Sequence, residues 1–171
     1  MTTQNLEPVF DKIDKSKENL IRLCQELIRF ETVNPPGRDY QPCVEYIGNR
    51  LKNSGFSVEY IRARGTPGDC ADFPRYNVVA RFDSGRKGPC VHFNSHIDVV
   101  ETGDGWTKDP FAAELEGGKI YGRGACDMKG GLAASIIAVE ALIASGIELK
   151  GAIEISGTAD EESGGLGGVA Y

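Results

Sequence analysis

The chain has 171 residues, 40% of them hydrophobic and 26% charged, with a formal net charge of -6. That length and balance suit one soluble globular domain whose core needs no covalent staple. The acid excess argues against nucleic acid as a partner, since a nucleic-acid footprint needs a basic face. No stretch approaches the ~18 consecutive apolar residues of a membrane span, so no membrane partner is expected either.

Residues 1–14 are polar and carry no apolar run before a cleavage site, so they do not read as a secretion signal. Cys24, Cys43, Cys70, Cys90 and Cys126 are scattered, odd in number and form no Cys-x-x-Cys pair. A disulfide framework or a cysteine zinc site is not expected, and a reducing, cytoplasmic location is. The first predicted element is an amphipathic helix over residues 16–30, where Leu20, Leu23, Leu27 and Phe30 recur at three- and four-residue spacing. Asn34-Pro35-Pro36-Gly37 stops it, because proline cannot continue a helix and restricts the residue before it. A second helix is predicted over 39–54, with Val44, Ile47 and Leu51 on one face and Gly55 as its stop.

A strand over 57–63 and a turn-rich loop over 65–73 come next. Strands over 76–82 and 90–94 are joined tightly through Asp83-Ser84-Gly85-Arg86-Lys87-Gly88, which predicts an antiparallel pair. Gly117-Gly118 between residues 112–116 and 119–121 is a two-residue hairpin signal. Residues 129–145 read as a helix apolar on nearly every side, hence buried on more than one face, and Gly146 ends it. A strand over 151–156 closes the series. Helices alternating with strands predict an α/β domain, a layered helix–sheet–helix arrangement around a mixed, mostly parallel sheet.

The residues with chemistry share one predicted address. His96 and Asp98 lie just past one strand, Glu161 and Glu162 just past another, and Asp127 in the loop that opens the apolar helix. Open α/β sheets bind ligands beyond the carboxyl ends of their strands, so three distant segments are expected on one rim. A metal-bound imidazole usually gives its other N–H to a carboxylate, which suits His96 followed by Asp98. The same pair also suits a strand-end histidine beside a surface aspartate.

Asp127 stands among glycines that permit close backbone approach, in Gly122-Arg123-Gly124-Ala125-Cys126-Asp127-Met128-Lys129-Gly130-Gly131. It could bridge two cations, or the run could be a structural turn. A phosphate cradle fits poorly, because Asp127 occupies the third glycine of the dinucleotide pattern and no Gly-Lys-Ser/Thr ending is present. Asp160-Glu161-Glu162 is a solvated acidic turn or a division of labour, one glutamate on a metal and its neighbour free to take a proton from water. His92 shares a strand face with Asn94 and His96 and reads as a packed or hydrogen-bonded strand residue.

Taken in order, Asn94-Ser95-His96-Ile97-Asp98-Val99-Val100, the run from Trp106 to Phe111, the glycine-rich run around Asp127, and Thr158-Ala159-Asp160-Glu161-Glu162-Ser163-Gly164-Gly165 resemble a known family. It is that of the zinc-dependent amidohydrolases of the acetylornithine deacetylase, succinyl-diaminopimelate desuccinylase, aminoacylase and bacterial carboxypeptidase type. The likeness covers most of the chain and is strongest over residues 90–168. It implies that His96 binds one zinc, Asp127 bridges two, and Glu162 binds the other. It further implies that Asp98 orients His96, that Glu161 is the general base, and that the Asp127–Met128 peptide bond is cis.

The resemblance implies an amide hydrolase with two zinc ions, cobalt being a possible substitute, acting on an N-acyl amino acid or small peptide. It also implies a further acidic ligand, a late histidine ligand and an inserted lid and dimerisation domain. None of these is within the 171 residues. The expectation is therefore that residues 1–171 are the N-terminal portion of a catalytic domain, that the full-length protein is a homodimer, and that this portion alone holds metal weakly. Two other readings stay open: a non-catalytic interaction module, and a nucleotide-binding α/β module built on the glycine-rich run.

Overall fold

A computed structural model describes residues 5–171. Three helices come first: α1 (Glu7–Lys15), α2 (Lys17–Arg29) and α3 (Tyr40–Asn53). The first was not predicted. Its apolar stripe is thin, with Val9 its buried residue and a proline in its first turn. The helix is only nine residues long, and helices so short depend on tertiary packing. The next two follow the predicted stripes, burying Leu23, Leu27 and Ile28 from α2 and Cys43, Val44, Ile47 and Leu51 from α3.

Strands β1 (Ser57–Arg62), β2 (Tyr76–Asp83) and β3 (Cys90–His96) follow, then the short hairpin β4 (Glu114–Glu116) and β5 (Lys119–Tyr121), helix α4 (Gly130–Ala144) and strand β6 (Ala152–Thr158). Gly117 and Gly118, both at positive φ, turn the hairpin as predicted. Helix α1 packs on α4, which buries residues on two sides, including Leu132 and Ile136, and Ala133 and Ile137.

The main sheet has the order β1-β2-β6-β3. It is mixed, as predicted, but the balance and pairing differ from expectation. Of its ladders, β1–β2 and β2–β6 are antiparallel and β6–β3 is parallel, so the described sheet is not mostly parallel. Nor do β2 and β3 pair: β6 lies between them. The connector after β2 straddles the entry of β6. Ser84 donates its N–H to the Gly151 carbonyl, and Ala152 donates to the Pro89 carbonyl. Gly151 has φ +128 and no room for a Cβ beside the Pro89 carbonyl, so glycine is what lets the two segments cross so closely. Strand β6 takes the centre because it is nearly all buried, with Ile153 and Ile155 packed into the core.

The helices do not sandwich the sheet as the layered expectation had it. Register places Val91 and Phe93, Ile153 and Ile155, and Val78 and Ala80 on one face. Helices α3 and α4 both pack there. The opposite face carries His92, Asn94, Ser156, Arg81 and Glu154, and no described helix covers it. His92 is a hydrogen-bonded strand residue, as predicted: its Nε2 lies 2.9 Å from Ser156 Oγ. No helix among the described residues is long and apolar enough to cross a membrane.

Candidate metal centre

Because β3 and β6 run parallel, they end side by side, with His96 opposite Thr158. His96-Ile97-Asp98 and Asp160-Glu161-Glu162 therefore leave the sheet at one rim. The glutamates sit in a tight turn, Glu161–Ser163, entered through Asp160 in the left-handed region (φ 60). Asp127 reaches the same rim from the turn Ala125–Lys129, where its φ of −132 and ψ of 100 break the helical path. The Asp127–Met128 peptide bond is cis, as the resemblance implied; Asn34–Pro35 and Pro35–Pro36 are cis as well. A Cβ on Gly124 would run into the side chain of Val99, and one on Gly130 into the Ala125 carbonyl. Gly122, Gly124 and Gly130 thus serve close packing, with no phosphate needed to explain them.

His96, Asp127 and Glu162 each offer a ligand atom, all within 4.8 Å of one another. His96 Nε2 is 3.0 Å from Asp127 Oδ1 and 3.8 Å from Glu161 Oε2. The His96 ring is 5% exposed, whereas the Asp127 and Glu161 side chains are 78% and 58% exposed. A buried imidazole thus looks out at carboxylates on an open rim.

The orienting group on Nδ1 is nearer in the backbone than in the side chain. Nδ1 lies 3.0 Å from the Asp98 carbonyl and 3.5 Å from Asp98 Oδ1. The fully buried Asp98 carboxylate has another task as well. Oδ1 accepts the Glu161 N–H at 3.1 Å and Oδ2 accepts the Glu162 N–H at 3.0 Å. Asp98 therefore fixes both sides of the cluster.

Asp160 does not belong to a solvated acidic turn. It is buried, paired with Arg75 Nε at 2.9 Å, and accepts the Tyr40 hydroxyl at 3.0 Å. The Arg75 guanidinium also donates to the Pro36 and Phe73 carbonyls. Sequence reading missed Arg75, Tyr40 and Asn34; the last was legible only as the residue before two prolines. Nothing in local spacing could have joined them to site residues 64 to 129 positions away.

Electrostatics fit a cation at this rim. Burial disfavours the charged His96 ring, but bonds to Asp98 and Asp127 outweigh it and raise its pKa to about 9. Burial also raises the Glu162 pKa, with the nearby Asp127, Asp98 and Glu161 adding to the rise against the pull of His96. Acids crowded around one imidazole call for positive charge at Nε2, which a proton or a metal ion can supply. The donor set, one imidazole nitrogen with carboxylate oxygens, suits zinc.

Residues 92–171 match Peptidase family M20/M25/M40. The chain is 37% identical over 142 residues to the succinyl-diaminopimelate desuccinylase of Gluconobacter oxydans, covering 83% of the chain and 34% of that protein. It is 41% identical over 143 residues to the same enzyme of Gluconacetobacter diazotrophicus, with equal coverage of 83% and 34%. It spans about a third of the length of these relatives. Among solved structures, human carnosine dipeptidase 1 superposes with a TM-score of 0.80 at 28% identity, over 95% of this chain and 36% of that one. A di-peptidase from Saccharomyces cerevisiae gives a TM-score of 0.79 at 28% identity, over 95% and 36%. With its motifs, its fold and its rim of acids around one histidine all in agreement with that match, residues 92–171 form a segment of the Peptidase M20/M25/M40 family.

Proposed function

We propose that the protein is a metal-dependent amide hydrolase, acting on an N-acyl amino acid or small peptide with a free carboxylate. The observation that carries this is the grouping of His96, Asp127 and Glu162 within 4.8 Å, with Glu161 beside them and outside the ligand set. Family membership supports the reaction class, and the named relatives are desuccinylases and dipeptidases.

His96, Asp127 and Glu162 would hold zinc, with Asp127 shared between two ions and cobalt a possible substitute. Bound zinc would polarise the scissile carbonyl and make water more acidic. The chain's own residues do the rest. The Asp98 carbonyl holds His96 Nδ1–H and so keeps Nε2 for the ion. Glu161 takes a proton from the attacking water and passes it to the leaving nitrogen. Its exposure leaves the carboxylate free to swing between the two tasks, while its N–H stays pinned on Asp98.

Three ligand residues for two ions leave each with about two protein ligands, where zinc normally has three or four. The reading is therefore that residues 1–171 form the N-terminal portion of the catalytic domain. The rest of the protein would add an acidic ligand, a histidine, a substrate-binding lid and a dimer contact. Alone, the chain is expected to hold metal weakly and turn over negligibly; tight stoichiometric zinc uptake with turnover would contradict that.

The direct test is Glu161→Gln in the full-length protein. Turnover should fall by at least ~100-fold, as expected on losing a general base, with zinc content intact. Loss of zinc alongside activity would remove Glu161 from the base role.

A further inference from the structure

The three site-bearing segments come from distant parts of the chain, yet each is tied to one short stretch, residues 30–34, between α2 and α3. Lys129, fully buried and two residues past Asp127, donates from Nζ to the Phe30 carbonyl at 2.8 Å. Thr32 Oγ1 donates to the Ile97 carbonyl at 2.6 Å, and the Val99 N–H donates to the Thr32 carbonyl at 3.0 Å. Val33 and Val99 form a parallel bridge, and the Asn34 N–H donates to the Val99 carbonyl at 2.9 Å. The stretch thus lies alongside Ile97-Asp98-Val99 as a brief extra strand, with Asn34 at its far end.

Asn34 is 5% exposed, and its carboxamide nitrogen sits between two partners. Nδ2 donates to Asp98 Oδ2 at 3.3 Å and to Ser163 Oγ at 2.8 Å. Two N–H groups thus join the carboxylate that receives the Glu161 and Glu162 amides to the last residue of the turn carrying those glutamates. No other side chain among the hydrogen bonds of the described residues links Asp98 to that turn.

We propose that Asn34 is a positioning residue of the metal centre, its carboxamide locking the Asp98 carboxylate to the Glu161–Ser163 turn so that Glu162 faces His96 in a fixed register. Its purpose rests on the metal-centre reading; its hold on the turn does not. Aspartate cannot substitute, because it presents an oxygen to Asp98 where the amide presents a proton. Alanine leaves one oxygen of a buried carboxylate short of a donor, and the turn then depends on the two backbone bonds alone.

The experiment uses the full-length protein, as wild type, Asn34→Ala, Ser163→Ala and the double variant. Amide hydrogen exchange is read residue by residue without metal, and zinc affinity by competition with a chromophoric chelator. In Asn34→Ala the Glu161 and Glu162 amides should exchange on the order of 10-fold faster, while amides of β2 and β6 keep their protection. Ser163→Ala should shift the same two amides less, and the double variant should add little to Asn34→Ala, since both belong to one network. Zinc affinity should fall by about 10-fold or more, the usual loss when a group supporting a ligand is removed.

Unchanged exchange at Glu161 and Glu162, or an equal change at every amide, overturns the proposal. So does equal zinc affinity in wild type and Asn34→Ala. A wild type that binds no zinc sinks the metal reading and with it the purpose assigned to Asn34, while the exchange result still decides whether Asn34 holds the turn.

Discussion

His96 is held from both ends, by the Asp98 carbonyl on Nδ1 and by the Asp127 carboxylate on Nε2. A ring so placed keeps its proton to about pH 9 without metal. The folded-state pKa lies above the unfolded value, so the stability it contributes is fully present below about 6.5 and is lost as pH rises through 9. Lys129 acts in the opposite sense over the upper part of that range. Burial pulls its pKa down to about 8, which adds stability with rising pH above that point. The clean window is therefore pH 6.5 to 8. Urea unfolding of chelator-treated protein should lose on the order of 1–2 kcal/mol across it, and His96→Gln should remove the slope. A wild-type stability flat over that window would contradict the assigned bonds.

At Asp98 the sequence was partly legible. The His-x-Asp spacing pointed to an orienting residue, and the Asp98 carbonyl lies 3.0 Å from His96 Nδ1. That the nearer oxygen is its carbonyl, and that its carboxylate receives the Glu161 and Glu162 amides, depends on a turn more than sixty residues away. Asp98→Asn keeps the carbonyl but turns an N–H toward one of those amides. Zinc affinity should drop by about 10–100-fold with the His96 tautomer kept, the range seen when groups behind a ligand are changed. Affinity equal to wild type would return Asp98 to a role at His96 alone.

Among the elements, the buried Arg75–Asp160–Tyr40 cluster ties the end of the β1–β2 loop to the entry of the glutamate turn. Removing one member of a buried ion pair leaves the other uncompensated. Arg75→Met should cost about 3–5 kcal/mol in urea unfolding. A cost below ~1 kcal/mol, the range of exposed pairs, would mean that the pair is open to water. Helices α2 and α3 were legible from their apolar stripes, α4 from an unbroken apolar run, and the strands from the turn residues that bound them. The β2-β6-β3 order was not, since the tight connector suggested adjacency and the strand that intervenes lies some sixty residues further on. What admits it is Gly151, which the sequence offers only as the first residue of the last strand. Gly151→Ala, strained at φ +128 and crowded by the Pro89 carbonyl, should lower the melting temperature by several degrees. A melting temperature unchanged from wild type would mean that the crossing has room to spare.

At the scale of the molecule, the fold does one thing for the chemistry. It runs β3 and β6 parallel, so that a histidine and two glutamates emerge together, and it presses the Asp127 turn against them. The α/β class and the shared rim were both readable from where the motifs fall after predicted strands. The one-sided placement of the helices was not, because apolar stripes do not reveal which sheet face they meet. The central claim is that His96, Asp127 and Glu162 are ligands while Glu161 is not. Zinc content and affinity of the full-length protein test it directly, in His96→Ala, Asp127→Ala, Glu162→Ala and Glu161→Gln, with Glu154→Ala on the opposite sheet face as control. Zinc should be lost in the first three and stay at the wild-type level in the last two. Zinc retained through all three ligand substitutions, or lost equally in Glu161→Gln, would contradict it.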